Sequence, residues 1–411
     1  MLRRFAGYYR RLDLTSASQI WGRLMGFAER KALYEGIEAK RDHPLIAYVT
    51  SSRPNAQAQM ASDVIPRIAE QVRCVGSEHT AVDLLIVSNG GDPTVAWRVI
   101  SVLRERFSSV AVLLPFSAFS AATLLAFGAD EVVMHPFANL GPVDMQLSQR
   151  RRVAGPDGRP TGEYEEIAFG SEDVRHFLEF LRTDVGITDQ GPLEKAFELA
   201  IRDVGAIAVG TAKRGTNLAL SMGEKLLGLH MDDKNQAKAI AESFNSAFFH
   251  HGYPVGRREA TEAGLNVVEA EDLELADTLW SVWTDVSTEM LMDSPFDPVV
   301  EVMKDSEIRK RLTTVPTLNV PVDLPPQMAQ QLYQQAIVQL QVTPQEGVDY
   351  ELFLALVEST RCRSEFRETG KLNAVRLPDM NLQVTRIRTD VGWHTESVKP
   401  VLSGRKQSRG D

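Results

Sequence analysis

The stretch VDLLIVSNGGDP, residues 82–93, decides the fold. Its first six residues are a short, nearly continuous apolar run, the pattern of a strand buried on both faces of a parallel sheet. Ser88, Asn89, Gly90 and Gly91 then form a turn, Asp92 is an N-cap candidate, and Pro93 stands at the first helical position, where proline is tolerated. Apolar residues continue at helical spacing through Val95, Val99, Leu103 and Phe107. Working outward, Pro44–Thr50 (PLIAYVT) reads as a second buried strand, followed by the polar loop SSRPNAQ and a helical pattern through Ile65, Ile68 and Val72. On the other side come a strand at Val110–Leu114, a helix at Ser120–Phe127 stopped by Gly128, and a strand at Glu131–His135. Strands and helices alternate with short connections, which is the repeated βαβ winding of an α/β fold.

Beyond this core the pattern changes. Residues 150–169, RRRVAGPDGRPTGEYEEIAF, predict a protruding hairpin around Pro156, Asp157 and Gly158. Helical segments dominate from Ser171 to Met292, and prolines recur afterwards at positions 295, 298, 316, 321, 325 and 326. The expected organisation is an N-terminal helical segment over 1–43, an α/β domain over 44–292, an α+β extension over 293–403, and a disordered polar tail over 404–411. In the extension, helices are expected at Gln327–Gln341 and Asp349–Thr360, then short strands. Near the N-terminus, Tyr8–Leu33 fits an amphipathic helix with Leu12, Leu14, Ile20, Trp21, Leu24 and Phe27 on its apolar side. Packing against the domain is the expectation there, and contact with a membrane surface the alternative.

The 411 residues are 43% hydrophobic and 24% charged, as in ordinary globular proteins. A net charge of −10 argues against a general nucleic-acid binder, because affinity for phosphate needs a basic surface. The basic clusters at Arg3, Arg4, Arg10 and Arg11, at Arg150–Arg152, and at Arg405, Lys406 and Arg409 read as solvated patches or chain ends. The two cysteines, Cys74 and Cys362, have no metal-ligand spacing; a reducing, cytoplasmic setting is the simpler reading, and a structural disulfide has little support from sequence. The first residues lack the apolar core of a secretory signal, and no apolar run approaches the ~18 residues needed to span a bilayer.

Two features point to chemistry. Asn89-Gly90-Gly91 follows the carboxyl end of a strand, where open α/β sheets place their ligands, and glycines let backbone N–H groups face a cleft. Such donors can hold a developing oxyanion. Ser120 opens the helix after the next strand, close to unsatisfied N–H groups and the positive helix end. Taken singly, the first is a common turn and the second a common helix cap; together they supply an oxyanion hole and a nucleophile from neighbouring turns.

The stretches SNGGDPTVAWRVISVLRER and FSAATLLAFGADEVVMHPFANLGPVDMQL resemble the serine dehydrogenase proteinase family, relatives of the Clp peptidases and of signal peptide peptidase A. The resemblance rests on Ser120, on Ala129-Asp130-Glu131, and on Leu140-Gly141-Pro142-Val143-Asp144. Further on, Phe249-His250-His251-Gly252-Tyr253-Pro254 and Glu262-Ala263-Gly264-Leu265 look like the family's closing segment. It implies a crotonase/Clp-peptidase-like spiral βαβ core with a helical second half and a small C-terminal extension. It further implies a nucleophile at Ser120, an orienting carboxylate at Asp144 and a base at His251, with Gly90, Gly91 and Ala121 at the oxyanion hole. His250 is a rival base and His135 a weaker one; each also reads as structural, His251 as a helix C-terminal histidine and His135 as a strand-end residue, while Asp144 also fits a turn.

The chain departs from the family pattern. Ala121 and Ala122 replace two glycines after the serine, and Asn89 replaces a proline before Gly-Gly. No lysine occurs between Ser120 and Lys195, so a Ser–Lys dyad would need Lys195, Lys213 or Lys225 and is the weaker mechanism. The expected function is a serine hydrolase, a peptidase acting on peptides or proteins and assembled as a homo-oligomer, with no cofactor and no metal. The alternatives are a catalytically degenerate crotonase-like scaffold serving assembly or partner binding, and acyl-CoA chemistry, for which no phosphate-binding feature is seen.

Overall fold

The computed structural model describes residues 26–143, 146–154, 160–246, 252–313, 325–339, 347–376 and 381–397. Helix α1 (Gly26–Arg41) leads into strand β1 (Leu45–Thr50). A short 3-10 turn precedes α2 (Ile65–Cys74), followed by β2 (Ala81–Val87), α3 (Pro93–Arg104) and β3 (Ser109–Leu114). Two-residue β4 (Ser117–Ala118), α4 (Ala121–Phe127), β5 (Glu131–Met134) and two-residue β6 (Asn139–Leu140) complete the winding. The alternation read from sequence is therefore present, with strand ends shifted by a residue.

Period-two side chains split the strands between two helical layers. Val82, Leu84 and Ile86 join one apolar cluster with residues of α2, α3 and α4, while Leu85 and Val87 join another with α1 and α10 (Ala276–Glu289). Burial on both faces explains why these strands read as unbroken apolar runs. Helix α3 starts as its sequence demands: the Asp92 side chain accepts from Thr94 N at 2.8 Å and Pro93 occupies the first turn. Helix α4 is buried along its whole length, which suits its small and aliphatic residues, and ends at Gly128. The one acid inside β2, Asp83, is buried but accepts from Arg41 and pairs with His43 Nδ1 at 3.0 Å.

The helical second half consists of α5 (Ser171–Thr183), α6 (Gln190–Val204), α7 (Ala206–Leu227), α8 (Lys234–Ser246) and α9 (Arg257–Glu262), with β9 (Val267–Glu269) before α10. The hairpin appears as β7 (Gln146–Ala154) paired antiparallel with β8 (Pro160–Gly170); its expected turn lies outside the described residues. After α11 (Pro298–Lys304), α12 (Ser306–Thr313) and α13 (Pro326–Gln339) come β10 (Val348–Glu358), β11 (Cys362–Arg376) and β12 (Leu382–Ser397).

These last strands join the core. The large sheet has the order β12-β11-β10-β1-β2-β3-β5-β9, with β10 antiparallel to β1 and the β1-to-β9 side parallel. Asp349–Thr360, expected to be helical, is thus largely a strand, and the strands after it are long, not short. The segment DYELFLALVE is rich in helix formers, but pairing with both β1 and β11 and burial of Leu352–Glu358 override that local preference. The helix Gln327–Gln341 is observed as α13. Of the amphipathic stretch Tyr8–Leu33, residues 8–25 lie outside the described part and the rest begins α1; the polar tail over 404–411 also lies outside it.

Candidate active site

The site is built where β2 and β4 run out. The chain leaving β2 pairs with β4: Ser88 N donates to Ser117 O at 3.1 Å, and Phe119 N donates to Ser88 O at 3.0 Å. Ser120 follows at once, at the N-cap of α4, with φ 53° and ψ −120°. A positive φ is costly for a residue with a Cβ, and such strain persists only where the surroundings enforce it, characteristically at functional sites. Here Ser120 N donates to Pro142 O at 3.1 Å, and Ser120 O accepts from Thr123 N at 2.9 Å. The Ser120 side chain makes no capping bond to its helix, so the hydroxyl is left for other work.

The glycine turn packs directly on this elbow. A Cβ on Gly90 would lie 2.5 Å from Phe119 O, 2.8 Å from Ser120 Cβ and 2.9 Å from Ala121 N, so only glycine allows the approach. Gly91, at φ +151°, is pressed equally closely on the Met60 backbone. Met60 N donates to Gly90 O at 2.7 Å, and Asp92 N donates to Met60 O at 3.0 Å, which fixes the turn from its far side. Gly90 N is itself engaged, donating to Ser88 Oγ at 3.1 Å. The N–H groups of Gly91 and Ala121 have no partner among the described residues.

Several residues that hold this geometry were not singled out from sequence. Buried Ser88 receives Gly90 N and meets Thr50 Oγ1 at 2.7 Å. Buried Thr123 shares its one Oγ1–H between Ala118 O and Gly141 O, each 2.8 Å away, tying the first turn of α4 to the strands around it. The available signal was a lone hydroxyl within the apolar run AATLLAF.

Asp144, His251 and its rival His250 lie outside the described residues. Their described neighbours are joined: Val143 N donates to Phe244 O at 2.9 Å, and Leu140 and Val255 exchange backbone bonds at 2.9 and 2.8 Å. The chain entering residue 144 is therefore bonded to Ser120 through Pro142 and to both flanks of the 247–251 segment. His135 has a different setting. It is buried and stacked on Trp280 at 5.0 Å, and its Nδ1 accepts from Phe137 N at 3.1 Å. Burial pushes its pKa down to about 4, against weak opposing pulls from Glu271 and Asp277. Among the candidate lysines, Lys195 pairs with Glu198 at 2.9 Å and Lys225 lies 3.5 Å over the Trp97 ring.

Residues 61–154 match the family model of the ClpP-like SDH-type serine proteinases. Over these residues, the chain is similar to that family. The matched segment contains Gly90, Gly91, Ser120 and Ala121, together with the turn that leads to residue 144. Two uncharacterized proteins of Methanocaldococcus jannaschii are similar in sequence. One is 26% identical over 186 residues, 45% of this chain and 53% of that protein. The other is 35% identical over 72 residues, 18% of this chain and 25% of that protein. The chain thus spans about half the length of the first relative and a quarter of the second. Among solved structures, the 1510-N membrane-bound stomatin-specific protease aligns at 14% identity over 57% of this chain and 84% of that one, with a TM-score of 0.32. ClpP1 from Listeria monocytogenes aligns at 10% identity over 58% and 98%, with a TM-score of 0.30. With scores this low, the α/β architecture rests on the sheet order itself. No helix among the described residues is long and apolar enough to cross a membrane.

Proposed function

We propose that the protein is a serine peptidase in which Ser120 attacks a peptide carbonyl, His251 takes its proton and Asp144 orients the imidazole. The supporting observation is the strained Ser120 elbow, seated against Gly90 at the N-terminus of α4 with its side chain free of any cap. Negative charge that develops on the carbonyl oxygen during attack is stabilised by unengaged backbone donors and by the positive helix end. Gly91 N and Ala121 N fill that role, while Gly90, its N–H held by Ser88, supplies the close backbone approach. The bonds from Ser120 to Pro142, from Val143 to Phe244 and from Leu140 to Val255 support Asp144 and His251 as partners, because they draw the flanks of both toward the serine. The alanines at 121 and 122 are compatible with this role, since Ala121 keeps its N–H and both methyls pack into the core.

The test is reaction of the whole chain with a fluorescent fluorophosphonate, followed by mass-spectrometric mapping. Labelling is expected at Ser120, absent in Ser120→Ala and weakened at least ~100-fold in His251→Ala. Labelling at another residue, or labelling at Ser120 undiminished in His251→Ala, would overturn the assignment.

A further inference from the structure

The chain has two cysteines, 74 and 362, at opposite ends of the sequence, and the fold brings them together. Cys74 is the last residue of α2 and is exposed; Cys362 is the first residue of β11 and is buried. One turn before Cys74, the buried Gln71 Nε2 donates to Cys362 O at 3.0 Å and to Val357 O at 3.2 Å, so α2 is clamped onto the β10–β11 connection. That connection is itself rigid: Ser359 N donates to Cys362 O at 3.0 Å and Arg361 N to Ser359 Oγ at 3.0 Å. Because Cys74 lies one turn beyond Gln71 on the same helix, this clamp sets the Cys74 end of α2 beside Cys362. Both are reduced as the structure stands.

We propose that Cys74 and Cys362 form an oxidative modification site, a reversible disulfide that staples the C-terminal strands to α2 when the protein meets a peroxide. The exposed sulfur is the one a soluble oxidant reaches. The Cys74 thiol gives up its proton, the thiolate attacks one peroxide oxygen and breaks the O–O bond to become a sulfenic acid, and the hydroxide released takes that proton and leaves as water. The Cys362 sulfur then attacks the sulfenic sulfur and displaces its oxygen, which leaves as a second water carrying the Cys362 proton. Two thiols and one peroxide thus give one disulfide and two waters. Burial, then the neighbouring Cys74 and the Glu70 carboxylate, push the Cys362 thiol up to about 12, so Cys362 is poorly suited to react first and is placed to resolve. The cross-link would close a loop of almost the whole domain, from α2 to the strand next to β10, and so restrict the unfolded chain strongly. The inference does not depend on Ser120 being a nucleophile.

The experiment treats the full chain with hydrogen peroxide at near-stoichiometric ratio, then maps peptides without reduction. The expected result is a Cys74–Cys362 linked peptide, lost on adding dithiothreitol and absent in Cys74→Ser. Oxidised protein should also melt about 5 °C higher than reduced protein, with Cys74→Ser showing no such rise. Oxidation of Cys74 to sulfinic or sulfonic acid while Cys362 keeps a free thiol would overturn the proposal. So would a linked peptide that joins two chains, recognised by its mass on a non-reducing gel.

Discussion

In the parallel half of the sheet, successive side chains of β2 enter two different apolar layers and are nearly all buried. In β12, Leu382, Val384 and Arg386 are half-buried while Gln383, Thr385 and Ile387 face outward. The first half is held by helices on both faces. The second half presents an outer face to solvent and is laced with ion pairs, among them Arg367–Glu351 at 2.7 Å and Arg386–Glu368. Apolar burial is non-directional and strong per residue, whereas exposed pairs contribute little each. The site end of the molecule thus rests on the more deeply buried half, and the C-terminal strands extend it as a more polar flank.

Where the halves meet, polarity is buried. Arg30 of α1 is fully buried and pairs with Asp285, with Glu289 at 2.8 Å and with Glu358 at 2.6 Å, joining α10 and β10. Burial opposes its charge, but Glu358, Tyr34 and Glu289 hold the guanidinium above its ordinary pKa. The largest expected effect is therefore at this seam. Arg30→Met should destabilise by about 3–5 kcal/mol in urea unfolding, because it removes the buried cation shared by three carboxylates and leaves Glu289 and Glu358 to Arg363 alone among the arginines. A loss below about 1 kcal/mol would mean that the seam is wet and the two halves are less tightly joined than the burial implies.

The next contrast is between Leu85 in β2, 1% exposed, and Ile387 in β12, 45% exposed. Leu85→Ala should cost about 2–4 kcal/mol and Ile387→Ala about 0.5 kcal/mol or less, by the same unfolding measurement. Equal costs would break the comparison and show that the outer face of β12 is covered in solution.

A further effect, confined to acid pH, is titration of His135 at the end of the parallel half. Its pKa of about 4 in the folded state lies below the ordinary 6.5, so the unfolded chain binds the proton more readily. Stability should accordingly fall as pH drops from 6.5 to 4 and level off below, by at most about 3 kcal/mol from this group. His135→Gln, which keeps an acceptor but does not titrate in this range, should remove that part of the decline in thermal midpoint against pH. An unchanged profile would assign the acid sensitivity to other groups.

Much of the fold was legible because parallel strands buried on both faces must be apolar without interruption, and because caps such as Asp92-Pro93 and stops such as Gly128 mark the helices between them. The C-terminal strand β10 was not, since FLALV within helix-forming neighbours has no period that separates a central strand from a helix. Gly90, Gly91 and Ser120 could be picked out because they sit at turns after strands, whereas Ala121 followed only from the family resemblance. Ser88, Thr123 and Met60 could not, because their roles are hydrogen bonds to backbone brought close only by folding.

By itself the sequence determined the alternation of strands and helices, the turn at 88–91 and the start of a helix at Ser120, all local consequences of apolar period, glycine and proline. Tertiary structure alone decided the positive φ of Ser120, the seating of Gly90 against it, the entry of β10–β12 into the sheet beside β1, and the docking of the Cys74 end of α2 on Cys362. Each of these depends on contacts between residues distant in the chain, whose free energy no local stretch of sequence records.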